Sequence, residues 1–184
     1  NSNLVIYNVC SWIVSFSAYK EFQKDDFFLK EGDICKHAFL ISEGAFRFYK
    51  IVDGNELVTA LFFAGDFLSD YQSFLTSSPS LYYVQALKKS TAYLISKKDL
   101  TDLYNDSQTF ERLGRLFAEH LFLTMNKRLD SFLFETPETR YAELVNRNSR
   151  LLQEVPQYMI ASYLGVKPET PAELEKENKP LVND

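Results

Sequence analysis

Four of the six glycines in this 184-residue chain, Gly32, Gly44, Gly54 and Gly65, stand at separations of 12, 10 and 11 residues, between short runs of aromatic and β-branched residues. Glycine takes positive φ without a Cβ penalty, so a glycine recurring at that interval marks the reversals of strands folded back on one another. The runs concerned are Phe27-Phe28-Leu29, Ala38 to Ile41, Phe46 to Ile51 and Leu57 to Phe63, followed by Tyr82 to Ala86 and Ala92 to Ile95. Their composition suits strands. Val52-Asp53-Gly54-Asn55 is the clearest hairpin, because Asp-Gly supplies the positive φ that a tight turn needs. The pattern predicts a small antiparallel roll or sandwich from Asp25 to Ile95.

Helical periods flank it. Cys10 to Phe22 carries Trp12, Ile13, Phe16 and Tyr19 at helical spacing and reads as a short amphipathic helix. Ser96, with Asp99 three residues on, is an N-cap for a helix from Lys97 to Tyr104. A longer helix from Thr109 to Phe134 carries the stripe Leu113, Phe117, Leu121, Met125, Leu129 and Phe132, more than a small roll can cover. Thr136-Pro137-Glu138 breaks that helix and starts another, helical from Arg140 to Leu152. Pro156 opens Gln157 to Leu164, and Gly165 closes it.

With 46% hydrophobic and 24% charged residues, the chain can bury one good core and a small second unit. A net charge of −5 lacks the basic footprint of an electrostatic nucleic-acid binder, so any DNA contact must come from a local patch. Cys10 and Cys35, the only cysteines, exclude a disulfide framework and a four-thiolate cluster within one chain, and fit a reducing cytoplasm. No apolar stretch is long enough to span a bilayer and no signal core is evident, so a cytoplasmic location away from membranes is expected. His37 and His120 fall in no metal-ligand spacing, and no Ser-His-Asp or Cys-His set can be assembled. Neither a metal site nor catalytic residues are assigned, and the chain is not read as an enzyme.

Several fragments, in this order, resemble the cyclic-AMP receptor and fumarate-nitrate regulator (Crp/Fnr) family of bacterial transcription regulators. Leu29-Lys30-Glu31-Gly32-Asp33 looks like its opening strand and turn, and Phe39-Leu40-Ile41-Ser42-Glu43-Gly44 like the following strand. Phe63-Ala64-Gly65-Asp66-Phe67 resembles the start of its phosphate-binding cassette; Tyr163-Leu164-Gly165-Val166, with Ala161 upstream, resembles the first helix and turn of its DNA-reading unit. The resemblance implies an α+β chain: an antiparallel β-roll of the cyclic-nucleotide-binding type (a double-stranded β-helix), a long dimerisation helix, and a small helix-turn-helix. The implied boundaries are 1–108 for the roll with its N-terminal helix, 109–134 for the dimerisation helix and 135–184 for the reader.

Nucleotide-binding members of the family use a Gly-Glu pair on the ribose and an Arg on the cyclic phosphate. The resemblance places the effector pocket of this chain at Gly65, Asp66, Phe67, Ser80, Leu81 and Tyr82. Gly65-Asp66 keeps the first pair with a shorter acid, whereas Pro79-Ser80-Leu81-Tyr82 stands where the Arg belongs, and no Lys or Arg occurs from Ile51 to Leu87. A bound phosphate would face Asp66 and Asp70, each contact costing on the order of 1 kcal/mol or more, so cyclic AMP is disfavoured and no cofactor is assigned. Arg47 either reaches inward from its strand or is solvated, the commoner state. Asp66 either serves the pocket or ends a strand. The 16 Phe and 11 Tyr either enclose a pocket for a small neutral effector or form core. His37, beside a turn, reads as solvated rather than as a haem ligand.

The long helix implies a homodimer, and the exposed stripe supports pairing independently; the alternative is that the stripe packs on its own domain. In the reader, Ala161 and Gly165 fit a helix-turn-helix, with Lys167, Glu169 and Thr170 as the DNA-binding candidates. Pro171 then forces the second helix to start late, with Thr170 as N-cap and Glu173 closing a capping box. From Pro168 to Asp184 five acids oppose two lysines, the wrong sign for a phosphate backbone. Either DNA binding has been lost, or it persists through cations such as Arg140, Arg147, Arg150 and Lys167.

Overall fold

The computed structural model describes residues 18–147 and 151–166. Among the described residues are eight strands: β1 (Ala18–Phe22), β2 (Phe27–Leu29), β3 (His37–Glu43), β4 (Ala45–Val52), β5 (Asn55–Phe63), β6 (Phe67–Leu68), β7 (Tyr83–Ala86) and β8 (Ser90–Ser96). The helices are α1 (Tyr71–Thr76), α2 (Lys97–Asp106), α3 (Gln108–Phe134), α4 (Pro137–Arg147), α5 (Leu151–Glu154) and α6 (Gln157–Leu164). The strands form two four-stranded sheets, ordered β1-β8-β3-β6 and β2-β7-β4-β5, with every pairing antiparallel.

Turn chemistry sets the registers. Asp53 (φ 50°) and Gly54 (φ 78°) occupy the two central positions of the β4–β5 hairpin, and Val52 faces Asn55 across it. At the β3–β4 turn Gly44 has φ 99°, and a Cβ there would lie 2.7 Å from the Ser90 Cα. That reversal therefore needs glycine for its conformation and for the close approach of β8.

Alternation along each strand sends one face inward. Phe39 and Ile41 of β3, Phe46 of β4, Val84 and Ala86 of β7, and Ala92 and Leu94 of β8 meet between the sheets, joined by Phe22, Leu68 and Phe74. A second core lies on the opposite face of the β2-β7-β4-β5 sheet. There Tyr49 and Val58 pack with Tyr141, Leu151, Val155, Met159, Ile160 and Leu164 from α4 to α6.

One expected element is corrected. The segment up to Phe22 was expected to be helical, yet Ala18–Phe22 is a strand that pairs with β8, Tyr19 opposite Tyr93 and Phe22 opposite Ser90. Tyr19 and Phe22 satisfy a helical period locally, but the edge of β8 offers backbone partners and a ring contact to Tyr93 at 5.6 Å. Cys10 to Ser17 lies outside the described residues. The two-residue β6 and the six-residue α1 carry no period long enough to read. Of the helix expected from Arg140 to Leu152, the described residues Pro137–Arg147 and Leu151–Glu154 are helical, and 148–150 lie outside the described residues. The N-caps at Ser96 and Thr136 form, accepting from the Asp99 and Thr139 amides.

Candidate functional site: the cassette, the long helix and the docked helical unit

The cassette begins at the β5–β6 turn. Gly65 takes φ 94° and its amide donates to the Ile41 carbonyl at 2.8 Å. The Asp66 carboxylate accepts from the Phe63 amide at 2.8 Å, so this exposed acid holds the turn together. Phe67 leaves the roll interior and sets its ring edge-on to Phe117 of α3 at 5.1 Å.

The acid that faces the cassette is Asp70, 5% exposed, which the sequence alone presents only as a like charge. It caps α1 by accepting from the Ser73 amide at 3.2 Å, and its other oxygen accepts from the Ser80 hydroxyl at 2.6 Å. Ser80 also accepts from the Tyr82 amide at 3.0 Å. The two ends of the cassette are thereby clasped to each other. The pattern Asp70-x-x-Ser73 is the signal that marks this cap in the sequence. Of the remaining candidates, Leu81 is exposed, and Tyr82 places its ring 4.6 Å from Phe48.

The space between the sheets is occupied by aromatic rings. Phe46 meets Phe22 at 5.2 Å and Phe39 at 5.1 Å, and Phe28 meets Phe39 at 4.4 Å. Arg47 neither reaches this interior nor lies in solvent. It is 6% exposed on the opposite face of its strand, where it donates to Gln85 at 2.6 and 2.9 Å and to Glu56 at 2.5 and 3.1 Å, and its guanidinium lies 4.0 Å from the Tyr49 ring. Buried Cys35 sits beside the cassette, its thiol 3.4 Å from the Ser69 hydroxyl; burial pushes its pKa up, with Ser69 opposing. His37 lies half-buried nearby, its pKa lowered by burial and by Lys20. A recess of about 80 Å³ lined by Phe67, Ile95, Tyr104, Leu113 and Phe117 separates the roll from the head of α3. Among the described residues no cluster of three or more His, Cys, Asp and Glu can hold a metal, and no helix is long and apolar enough to cross a membrane.

The predicted stripe on α3 divides between two surroundings. Leu113, Phe117 and Leu121 are half-buried, the first two against the roll, whereas Met125 is 61% and Leu129 56% exposed. Phe122 and Leu133, which the stripe omitted, are 65% and 64% exposed. Phe122, Met125, Leu129 and Leu133 recur at intervals of three and four, so they share one face of α3. Phe132 turns toward α6 and lies under the guanidiniums of Arg128 and Arg140, at 4.7 and 5.0 Å.

In the helical unit Ala161 is fully buried and Gly165 is the left-handed C-cap of α6, φ 74°. Lys167, Glu169 and Thr170 lie outside the described residues, as does Arg150. Arg140, offered above as a cation for DNA, is engaged elsewhere: it donates to the carbonyls of Ser131, Glu135 and Leu164.

Residues 19–107 match the cyclic nucleotide-binding domain family. Among solved structures the chain is similar to FixK2 from Bradyrhizobium japonicum, at 18% identity over 88% of this chain and 83% of that one, TM-score 0.74. It is also similar to CLP from Xanthomonas campestris, described as a c-di-GMP responsive global regulator, at 16% identity over 93% and 90%, TM-score 0.68. The catabolite activator protein of Thermus thermophilus aligns at 16% identity over 92% and 82%, TM-score 0.58. No curated protein sequence matches the chain. Residues 19–107 thus match the cyclic nucleotide-binding domain, and the described residues carry the fold of these solved regulators.

Proposed function

We propose that the chain is a Crp/Fnr-type transcription regulator that does not respond to cyclic AMP. In this reading residues 1–108 are the β-roll effector domain, 109–134 the dimerisation helix and 135–184 a helix-turn-helix-like reader whose first helix is α6. The observation that carries the reading is the face of α3, Phe122, Met125, Leu129 and Leu133, left exposed by the described residues, on a fold that aligns with regulators along most of its length. Each such side chain gains about 1.5–3 kcal/mol on full burial, so pairing two copies offsets a large apolar exposure. Phe122→Glu combined with Leu129→Glu should turn the dimer into a folded monomer in sedimentation equilibrium. A wild-type chain that sediments as a monomer at micromolar concentration removes the dimer from the proposal.

Cyclic AMP is disfavoured by three local facts. Aromatic rings occupy the interior, no Lys or Arg stands between Ile51 and Leu87, and Asp70 is already matched by Ser80. A buried phosphate without a cation is costly. Cyclic AMP at 1 mM should leave the melting temperature unchanged, and a rise of several degrees overturns this part. The second reading is a dimeric sensor or interaction module without DNA binding, favoured by the acidic stretch after Pro168 and by the engagement of Arg140. Fluorescence anisotropy on random duplex DNA decides: a regulator binds with affinity falling steeply as salt rises, and a module without DNA binding shows no change at low salt.

A further inference from the structure

Helix α6 is tied to two separate bodies. The first is the roll. Among the described residues strand β5 is the edge of its sheet and pairs with β4 alone, so alternate backbone groups on its free side need other partners. The Ser162 hydroxyl of α6 accepts from the Val58 amide at 2.8 Å and donates to the Glu56 carbonyl at 3.3 Å. It fills the place a neighbouring strand would take.

The second body is the end of α3. Arg128 donates to the Tyr163 carbonyl at 2.7 Å while its guanidinium lies 3.7 Å from the Tyr163 ring centroid. Arg140, from α4, donates through Nε and Nη2 to the Leu164 carbonyl at 3.1 and 3.0 Å, and through Nη1 to Ser131 at 3.2 Å and Glu135 at 2.7 Å. The last carbonyls of a helix lack intrahelical donors and carry the negative end of its dipole, so cations bind there well. A Cβ on Gly165 would lie 2.8 Å from the Phe132 ring, which fits the chain leaving α6 closely against the end of α3.

We propose that Arg128 and Arg140 are positioning residues: they form the joint through which the end of α3 sets the orientation of α6, while Ser162 latches the same helix to β5. The inference rests on the proposed function, in which α3 pairs two copies and α6 opens the reader. A shift of α3 against the roll strains one tie or the other, so a change in the roll reaches the reader through these three side chains. The planar fork is needed, because Nε and Nη2 reach Leu164 from one edge while Nη1 reaches Ser131 and Glu135 from the other, a span that a compact ammonium does not cover. Arg140 thereby acts on protein carbonyls rather than on phosphate.

Hydrogen exchange by mass spectrometry on the full chain tests this. Arg128→Ala and Arg140→Ala should each raise exchange over 157–166 by roughly tenfold or more, with β3 and β8 unchanged. Arg140→Lys should match Arg140→Ala, and Ser162→Ala should raise exchange at Val58. Should an alanine variant unfold, Arg128→Lys and Arg140→Gln carry the same comparison. Unchanged exchange over 157–166 in both arginine variants, or wild-type behaviour of Arg140→Lys, overturns the joint. Sedimentation of the same samples keeps the two ideas apart: a monomeric wild type removes the dimer, whereas dimeric variants with unaltered 157–166 remove the joint alone.

Discussion

Replacing Phe46 by alanine distinguishes a filled core from a ligand compartment in the roll. Phe46 is fully buried, and its ring meets Phe22 at 88° between planes and Phe39 at 64°. Truncating a buried Phe costs about 3–5 kcal/mol, and edge-to-face pairs contribute about 0.5–1.5 kcal/mol beyond burial. Its strand is held between β5 and β7, so the backbone cannot collapse into the hole, which places the expected loss at about 4–5 kcal/mol. For a chain of this size that lowers Tm by about 8–20 °C. Urea unfolding followed by circular dichroism measures it, with Phe27→Ala as the control. Phe27 is 36% exposed and should lose less than about 1.5 kcal/mol. An apolar hole of this kind takes up benzene, so benzene should raise the Tm of the variant and leave the wild type unmoved. A loss below about 1 kcal/mol, or equal stabilisation of the wild type by benzene, refutes a close-packed interior.

Two glycines should respond differently to alanine. At Gly54 a Cβ meets nothing within 4 Å, so only left-handed strain of about 1–2 kcal/mol is expected; at Gly44 the Ser90 backbone is in the way and the loss should exceed about 3 kcal/mol in the same urea assay. Ser80→Ala strips a donor from the buried Asp70 carboxylate and should destabilise by about 1.5–3 kcal/mol, with Ser80→Thr retaining part of that. The Cys35 thiol has a folded pKa above its unfolded value because of burial, so its contribution is fully present below the ordinary thiol pKa and is lost as pH rises from there through the raised folded value. Stability should therefore fall more steeply in mildly alkaline buffer for the wild type than for Cys35→Ala. Parallel curves would show that this thiol does not contribute.

Turn chemistry and strand composition were legible in the chain alone, because both act over a few residues. Asp53-Gly54 specifies a hairpin wherever it is placed, and Ser96 and Thr136 cap their helices by bonds to amides three residues on. The roll and the long helix follow from those local signals, and the stretch without Lys or Arg from Ile51 to Leu87 already argued against a phosphate ligand. Tertiary structure decided everything that depends on which face meets which body. Ala18–Phe22 is a strand only because β8 has a free edge to pair with. A single stripe on α3 became two, since the roll covers Leu113 and Phe117 while nothing in the described chain covers Phe122, Met125, Leu129 and Leu133. Asp70 and Ser80 stand ten residues apart with no period linking them, and only the folded cassette joins their oxygens. The sequence leaves Arg47 open between pocket and solvent and offers Arg140 as a cation for DNA, whereas the fold supplies Glu56 and Gln85 to one and helix-end carbonyls to the other. A side chain's charge is written in the sequence, whereas its partner is set by which distant segments the packed sheets and helices bring within hydrogen-bond reach.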